Sequence, residues 1–340
     1  MIRFEYVSPN SVRQALALLS TNWGDTEILA GGTDLLGLMK DFVLTPKRVV
    51  NIKHVSGLDS IRAERDGVSI GALVTLDKIV DAPQIRQNYP ALAQAVAEAA
   101  SLQIRNMATI GGNLCQRPRC WYFRNGMGLL PKTPDGKSMV VDGDNRYHAI
   151  LRNDGPAYFV SPSTIAPMLI AYGARVRITG PDGERELAVE KFFRIPDFDT
   201  EREHDLKANE IVSEIFLPPA KGVRAANYEV RQKASFDWPL ATAAVVLQMN
   251  GSTVQSARIV MGAVAPTPWV SQEAAQAIAN KTIDERTASA AGAAAVSKAR
   301  PLSYNDYKVK LAAVAVKRAL LVAAGQTVPD LHTTQRGGAA

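Results

Sequence analysis

The sequence predicts an α+β fold, and three observations carry that prediction. The first 53 residues run helix, strand, glycine turn, helix, strand, which is the order of a small α/β unit. The middle of the chain mixes short strand candidates with Ala-rich and apolar helical runs. The last third places its strands first and its helices after them, the order of an α+β domain built from antiparallel strands and helices.

Taken in order, Ser11-Val12-Arg13-Gln14 has the form of a capping box, and Val12, Ala15, Leu16 and Leu19 then share one helical face. Glu27-Ile28-Leu29-Ala30 is a short apolar strand, Gly31-Gly32 a turn, 33–42 a helix and 47–52 a Val/Ile-rich strand. Beyond residue 53, short strands are expected at 60–62 and 68–71, and an Ala-rich helix at 91–106. A second glycine pair, Gly111-Gly112, follows. The stretch 115–153 then has little periodicity, and a loop of that length is commonly an insertion or a functional element. Order resumes with an apolar run at 157–160, a helix at 165–172 and a strand at 175–179, closed by the turn Pro181-Asp182-Gly183. Pro218-Pro219 marks a boundary. Strands are expected at 225–232, 241–249 and 254–264, with Asn250-Gly251 as a hairpin turn, and helices within 271–298 and 306–323. The expected parts are therefore 1–53, 54–219 with its irregular loop 115–153, 220–328, and a flexible tail at 329–340.

Of the 340 residues, 46% are hydrophobic and 21% charged, enough to bury a sizeable core. No apolar run reaches the ~18 residues that span a bilayer. Met1-Ile2-Arg3-Phe4-Glu5-Tyr6 has neither an apolar signal region nor a twin arginine, so a cytoplasmic location is expected. The net charge is +6, but bases and acids interleave, and neither a basic helix with aromatics nor a zinc-finger spacing is present. A nucleic-acid role is set aside on that ground. Two cysteines, Cys115 and Cys120, can form neither a disulfide framework nor a four-cysteine metal site.

The chemistry concentrates in two glycine loops, Ala30-Gly31-Gly32-Thr33-Asp34 and Ala108-Thr109-Ile110-Gly111-Gly112-Asn113. A pyrophosphate needs backbone N–H groups that approach closely, and glycine permits this because it lacks a Cβ and reaches positive φ. Thr33 adds a hydroxyl, Asp34 an acceptor, and Asn113 an amide. Singly, each pair is an ordinary tight turn; together, each beside a threonine, they point to a phosphate-bearing ligand. Other phosphate motifs fail. There is no G-x-G-x-x-G, and Asp135-Gly136-Lys137-Ser138 has Pro131 where a P-loop needs glycine.

With these loops in place, the sequence resembles the FAD-binding subunit of the xanthine dehydrogenase family of molybdenum hydroxylases. The resemblance spans nearly the whole chain. It runs from Phe4-Glu5-Tyr6 through the two loops to Ser161-Pro162-Ser163, Lys233-Ala234-Ser235-Phe236 and Tyr307-Lys308. It implies two lobes forming a flavin cleft of the vanillyl-alcohol-oxidase (PCMH) type, closed by the C-terminal α+β domain. It also implies non-covalent FAD as the cofactor. As partners it implies a small subunit with [2Fe–2S] clusters and a molybdopterin-binding large subunit that oxidises the substrate. The flavin then passes electrons to an acceptor that the sequence does not name. The cofactor carries the chemistry and the protein positions it, so no catalytic side chain is assigned.

By resemblance, the cofactor-binding residues are Ile28, Leu29, Ala30, Gly31, Gly32, Thr33, Asp34 and Leu35 in the first loop, and Thr109, Ile110, Gly111, Gly112 and Asn113 in the second. Ala99, Ile211 and Val212 fall at packing positions, and Arg231 where some relatives place a basic side chain. Ser163-Thr164 departs from the pattern, because many relatives carry Asp after the Ser. Relatives with a Cys-aromatic run like Cys120-Trp121-Tyr122-Phe123 often hold a [4Fe–4S] cluster in the long loop. A cluster needs four thiolates as a rule, so no metal is expected here. Cys120 reads as a buried small residue, His148 as a satisfied loop histidine, and the aromatic run as an anchor for the loop. The competing readings are a stand-alone FAD-dependent oxidase or reductase, for which no acid–base motif appears, and a scaffold that has lost FAD, against which the intact loops argue.

Overall fold

Three sheets, each with its own helical cover, organise the chain; the computed structural model describes residues 1–233 and 236–328. Strands β1 (Glu5–Val7), β2 (Thr26–Leu29) and β3 (Arg48–Asn51) pair in parallel in the order β1-β3-β2. Parallel neighbours need crossovers, and the helices Val12–Leu18 and Leu35–Lys40 are carried in the connections. Ser11 caps the first helix by accepting from the Gln14 N–H at 3.3 Å. The Gln14 side chain reaches one residue further than a capping box requires and accepts from the Asn10 N–H at 3.2 Å.

Strands β4 (Ile61–Glu64), β5 (Gly67–Gly71), β6 (Arg175–Gly180), β7 (Gly183–Ala188) and β8 (Ile211–Leu217) form an antiparallel sheet in the order β4-β5-β8-β6-β7. All seven residues of β8 are buried, as suits the central strand. Helices Leu76–Asp81, Pro83–Asn88, Pro90–Glu98 and Ala166–Ala171 contribute to the core over this sheet. Tyr89 ties them to it, its buried hydroxyl donating to the Pro218 carbonyl at 2.9 Å.

The Ala-rich helix expected over 91–106 is broken. Pro90–Glu98 ends at Ala99, which is extended (φ −72°, ψ 128°), and Ala100 takes a φ of 51°. A short helix, Leu102–Arg105, starts afresh. Ser101 causes the restart: its hydroxyl accepts from the Ile104 N–H at 3.3 Å, the action of an N-cap. Arg105 Nη1 closes the break by donating to the Ala99 carbonyl at 3.0 Å.

Strands β9 (Val223–Val230), β10 (Ala241–Asn250), β11 (Thr253–Gly262) and β12 (Trp269–Val270) form the third sheet, antiparallel throughout. Gly251 turns the β10–β11 hairpin with a φ of 59°, as Asn250-Gly251 predicts. Helices Gln272–Ile278, Glu285–Ala295 and Tyr307–Ala323 build the core on this sheet.

The stretch 115–153 holds one helical turn, Trp121–Arg124, and is otherwise irregular, but the C-terminal elements pin it. Lys308 is buried and donates from Nζ to the carbonyls of Tyr147, His148 and Ala263 at 3.1, 3.0 and 2.8 Å. Asn145 Nδ2 donates to Ser303 Oγ at 2.9 Å, and Asn153 Nδ2 to the Arg300 carbonyl at 2.8 Å. The run 157–160 forms no strand. Ala234, Ser235 and the expected tail at 329–340 lie outside the described residues. Among the described residues, no helix is long and apolar enough to cross a membrane, and no three His, Cys, Asp or Glu side chains gather as metal ligands would.

Candidate functional site

The two glycine loops meet. A Cβ on Gly31 would lie 2.0 Å from the Met107 carbonyl oxygen, so only glycine lets the first loop touch the backbone leading into the second. Gly32 takes a φ of +76°, where an L side chain is strained by roughly 1–2 kcal/mol. A cavity of about 490 Å³ opens between them.

Sixteen of the nineteen residues expected to hold the cofactor line this cavity. From the first loop come Ile28, Ala30, Gly31, Gly32, Thr33, Asp34 and Leu35; from the second, Thr109, Gly111, Gly112 and Asn113. Ala99, Thr164, Ile211, Val212 and Arg231 complete the set. Leu29 and Ile110 do not line it. They are buried in separate cores and anchor their loops from behind. Ser163 also stands back: its hydroxyl donates to Asn113 Oδ1 at 2.6 Å and accepts from the Ala166 N–H at 3.2 Å. It therefore orients Asn113 and satisfies the first N–H of the helix Ala166–Ala171.

The two loops differ as donors. The backbone N–H groups of Gly31, Gly32, Thr33 and Asp34 have no acceptor among the described residues. In the second loop, the amides of Ile110 and Gly111 donate to the Val74 and Ala72 carbonyls, both at 3.0 Å. Gly112 N–H donates to Thr109 Oγ1 at 3.2 Å and Asn113 N–H to the Thr109 carbonyl at 2.8 Å. The two loops therefore contribute differently. The first loop offers free amides, and the second offers a close backbone approach and side chains, because its amides dock it against residues 72–74.

Asp34, expected as an acceptor, uses its carboxylate within the protein. Its carboxylate accepts from the Arg117 backbone N–H at 2.8 Å and pairs with Arg119 and Arg124, each at 2.7 Å. It fastens the start of the irregular stretch beside the first loop and brings Arg117 and Arg119 into the cavity wall. Burial draws the Arg119 guanidinium down to about 10, against the pull of Asp34, and its Nε has no partner among the described residues. Arg231 is held by Glu229 through Nε at 2.8 Å and by the Glu98 carbonyl through Nη2 at 2.7 Å. Sequence reasoning missed Arg117, Arg119 and Arg124, which stand 83 to 90 positions from Asp34 and which no local spacing connects to it.

A cluster of unspent backbone amides, a glycine cradle and neighbouring guanidinium groups is the donor set that a pyrophosphate requires. The residues present therefore fit FAD. The first loop's amides and Thr33 would hold its phosphates, and the apolar wall of Ala99, Ile211 and Val212 would pack against its rings. Bound FAD supplies the redox chemistry.

Comparison with known proteins agrees. Residues 2–220 match the family model described as the FAD binding domain in molybdopterin dehydrogenase, and 226–323 the CO dehydrogenase flavoprotein C-terminal domain. The chain is 31% identical over 272 residues to the aldehyde oxidoreductase FAD-binding subunit PaoB of Escherichia coli (strain K12), covering 79% of this chain and 84% of that protein. It is 31% identical over 323 residues to the carbon monoxide dehydrogenase medium chain of Hydrogenophaga pseudoflava, covering 94% and 96%. A solved structure of carbon monoxide dehydrogenase from Hydrogenophaga pseudoflava superposes with a TM-score of 0.75 at 29% identity, covering 96% of this chain and 100% of that one. The chain belongs to the FAD-binding subunits of the xanthine dehydrogenase family of molybdenum hydroxylases.

Proposed function

We propose that this chain carries electrons within a multi-subunit molybdenum hydroxylase. It takes them from the [2Fe–2S] clusters of a small subunit, while a molybdopterin-binding large subunit oxidises the substrate, and passes them through FAD to an external acceptor. The observation that carries this reading is the cavity between the loops, where the amides of Gly31 to Asp34 are unspent and the sixteen expected residues converge. In this reading, parts 1–53 and 54–219 form the cleft and 220–328 closes it. The complex works in the cytoplasm, or in the periplasm if a signal-bearing partner carries this chain across.

The test begins with the purified chain alone. Visible flavin bands, or their appearance on adding FAD, together with no turnover of reduced organic substrates, support the proposal. Turnover by the chain alone would make it a self-sufficient oxidase or reductase. A colourless chain that takes up no FAD would make it a scaffold. Co-purification with an iron–sulfur subunit and a molybdopterin subunit completes the assignment.

A further inference from the structure

Glu229, near the end of β9, and Arg231, just past it, line the cofactor cavity together with Glu98 and Ala99. The Glu229 side chain is 3% exposed, and its two oxygens are used unequally. Oε2 accepts from Arg231 Nε at 2.8 Å and from Arg231 Nη2, while Oε1 has no partner among the described residues. Asn227, two positions back and so on the same face of β9, shows the same imbalance. Its Nδ2 donates to Glu98 Oε2 at 3.1 Å, and its buried Oδ1 has no partner among the described residues. Buried oxygens are nearly always paired, and two unpaired acceptors on one strand face lack a donor. A proton on Glu229 Oε1 is such a donor.

The surroundings favour that proton. Burial pushes the Glu229 carboxyl up to about 7, with Arg231 opposing the rise and Glu98 adding to it. Arg231 is shared, since its Nη2 also donates to the Glu98 carbonyl at 2.7 Å. Glu98, from the helix Pro90–Glu98, brings a second carboxylate to the same place. β10 sets Thr242 opposite Glu229 and adds no charge. The helix Tyr307–Ala323 packs on the other face of β9, where Arg318 bonds the Tyr228 hydroxyl. Ala99, in the wall suited to the cofactor's rings, directly follows Glu98, and Arg231 is bonded to the Glu98 carbonyl. These contacts put the Glu229 carboxyl on the ring side of the cavity.

We propose that Glu229 is the proton donor of the cofactor cavity: it keeps a proton on Oε1 while bound FAD is oxidised and gives it to a ring nitrogen when FAD is reduced. The proposal rests on the electron-carrier reading above. Two electrons from the [2Fe–2S] clusters of the small subunit, the Glu229 proton and one solvent proton convert FAD to FADH2. The Glu229 O–H bond breaks, a flavin N–H bond forms, and the carboxylate left behind keeps its pairing with Arg231. When the acceptor takes the two electrons, the proton returns to Glu229.

The test is electrochemical reduction of the FAD-loaded chain, followed by infrared difference spectroscopy at about pH 6, where the oxidised chain holds the proton. A buried carboxylic C=O band should vanish on reduction, return on reoxidation and be missing from Glu229→Gln, which keeps the shape but has no proton to give. The flavin midpoint potential is a second readout. Near pH 6 it should follow pH as for one solvent proton per two electrons in the parent, and as for two in Glu229→Gln. The difference should fade toward about pH 8.5, where Glu229 is already ionised. A carboxyl band that does not move, or a variant whose potential tracks the parent's, overturns the proposal. Should Glu229→Gln fail to fold, the band in the parent decides alone. A chain that takes up no FAD defeats the electron-carrier reading and this proposal with it, whereas a flavin-loaded chain with an unmoved band defeats only the proposal.

Discussion

Asp34 and Arg124 sit 90 positions apart in the chain, yet Arg124 Nη2 donates to Asp34 Oδ1 at 2.7 Å. Arg119 shares the same carboxylate, so a residue of the first glycine loop also anchors the irregular stretch. Asp34→Asn would leave two largely buried guanidinium groups facing a neutral amide. The expected cost is about 1–3 kcal/mol, below that of a fully buried pair because these side chains keep some solvent contact. Chemical denaturation should show the loss of stability, and flavin content per chain should fall with it.

Gly31→Ala and Gly32→Ala should fail for different reasons. The first drives a Cβ into the Met107 carbonyl and must push the loops apart. The second places alanine at a φ of +76° beside movable leucine side chains. Flavin retention should fall by more than about tenfold for Gly31→Ala, since the loop contact itself is lost. Gly32→Ala should show chiefly a stability loss of roughly 1 kcal/mol. Equilibrium dialysis against FAD, beside thermal melting, separates the two.

Lys308 joins the last long helix to the irregular stretch and to the residue after β11. Burial lowers its pKa to about 7, while three carbonyl acceptors, one for each ammonium proton, favour the charged form. Lys308→Met keeps the apolar stem and strands those carbonyls. A loss of about 2–4 kcal/mol is expected, with greater protease sensitivity within 140–150. An unchanged unfolding midpoint would show that the contacts carry no weight.

Acidification should cost stability through His148 and His204, against the opposite contribution of Glu27 and Glu229, whose burial raises both carboxyls to about 7. Burial holds His148 down to about 4, helped by Lys308, and His204 down to about 3, helped by Arg117. In the unfolded chain both protonate near pH 6.5, so below that pH the unfolded state binds more protons than the folded one. Stability is then full above about pH 6.5 and falls as pH drops toward 4, by up to about 1.4 kcal/mol per unit for each histidine. The difference between the parent and His204→Asn in melting temperature, followed from about pH 7 to about pH 4, tests this: the gap should narrow as pH falls.

The features legible in the sequence are those whose causes are local. Asn250-Gly251 demands a hairpin and forms one, and Ser11 caps the helix that its periodicity announces. The glycine loops were readable because close backbone approach leaves a residue-type signature. The break at Ala99 and Ala100 was hidden, because helix propensity summed over an alanine-rich run outweighed a single capping serine. The arginines on Asp34 could not be read at all. Their pairing is created only when the fold closes over 83 to 90 intervening positions, and nothing in their immediate sequence distinguishes them from surface arginines. The spending of the second loop's amides on Ala72 and Val74 was hidden for the same reason.

The wall of the cofactor cavity contains Trp23 near the start of the chain and Pro239, 216 positions later, and Arg231 in that wall reaches back to the carbonyl of Glu98. On a ribosome, the glycine loops emerge long before that far wall is made. A nascent chain can therefore display its phosphate-binding amides while still having no enclosed place to keep a flavin. Cofactor capture becomes a later event of synthesis, a checkpoint that only a chain extended past Pro239 passes. Premature termination anywhere before β10 would yield a colourless product rather than a weakly loaded one.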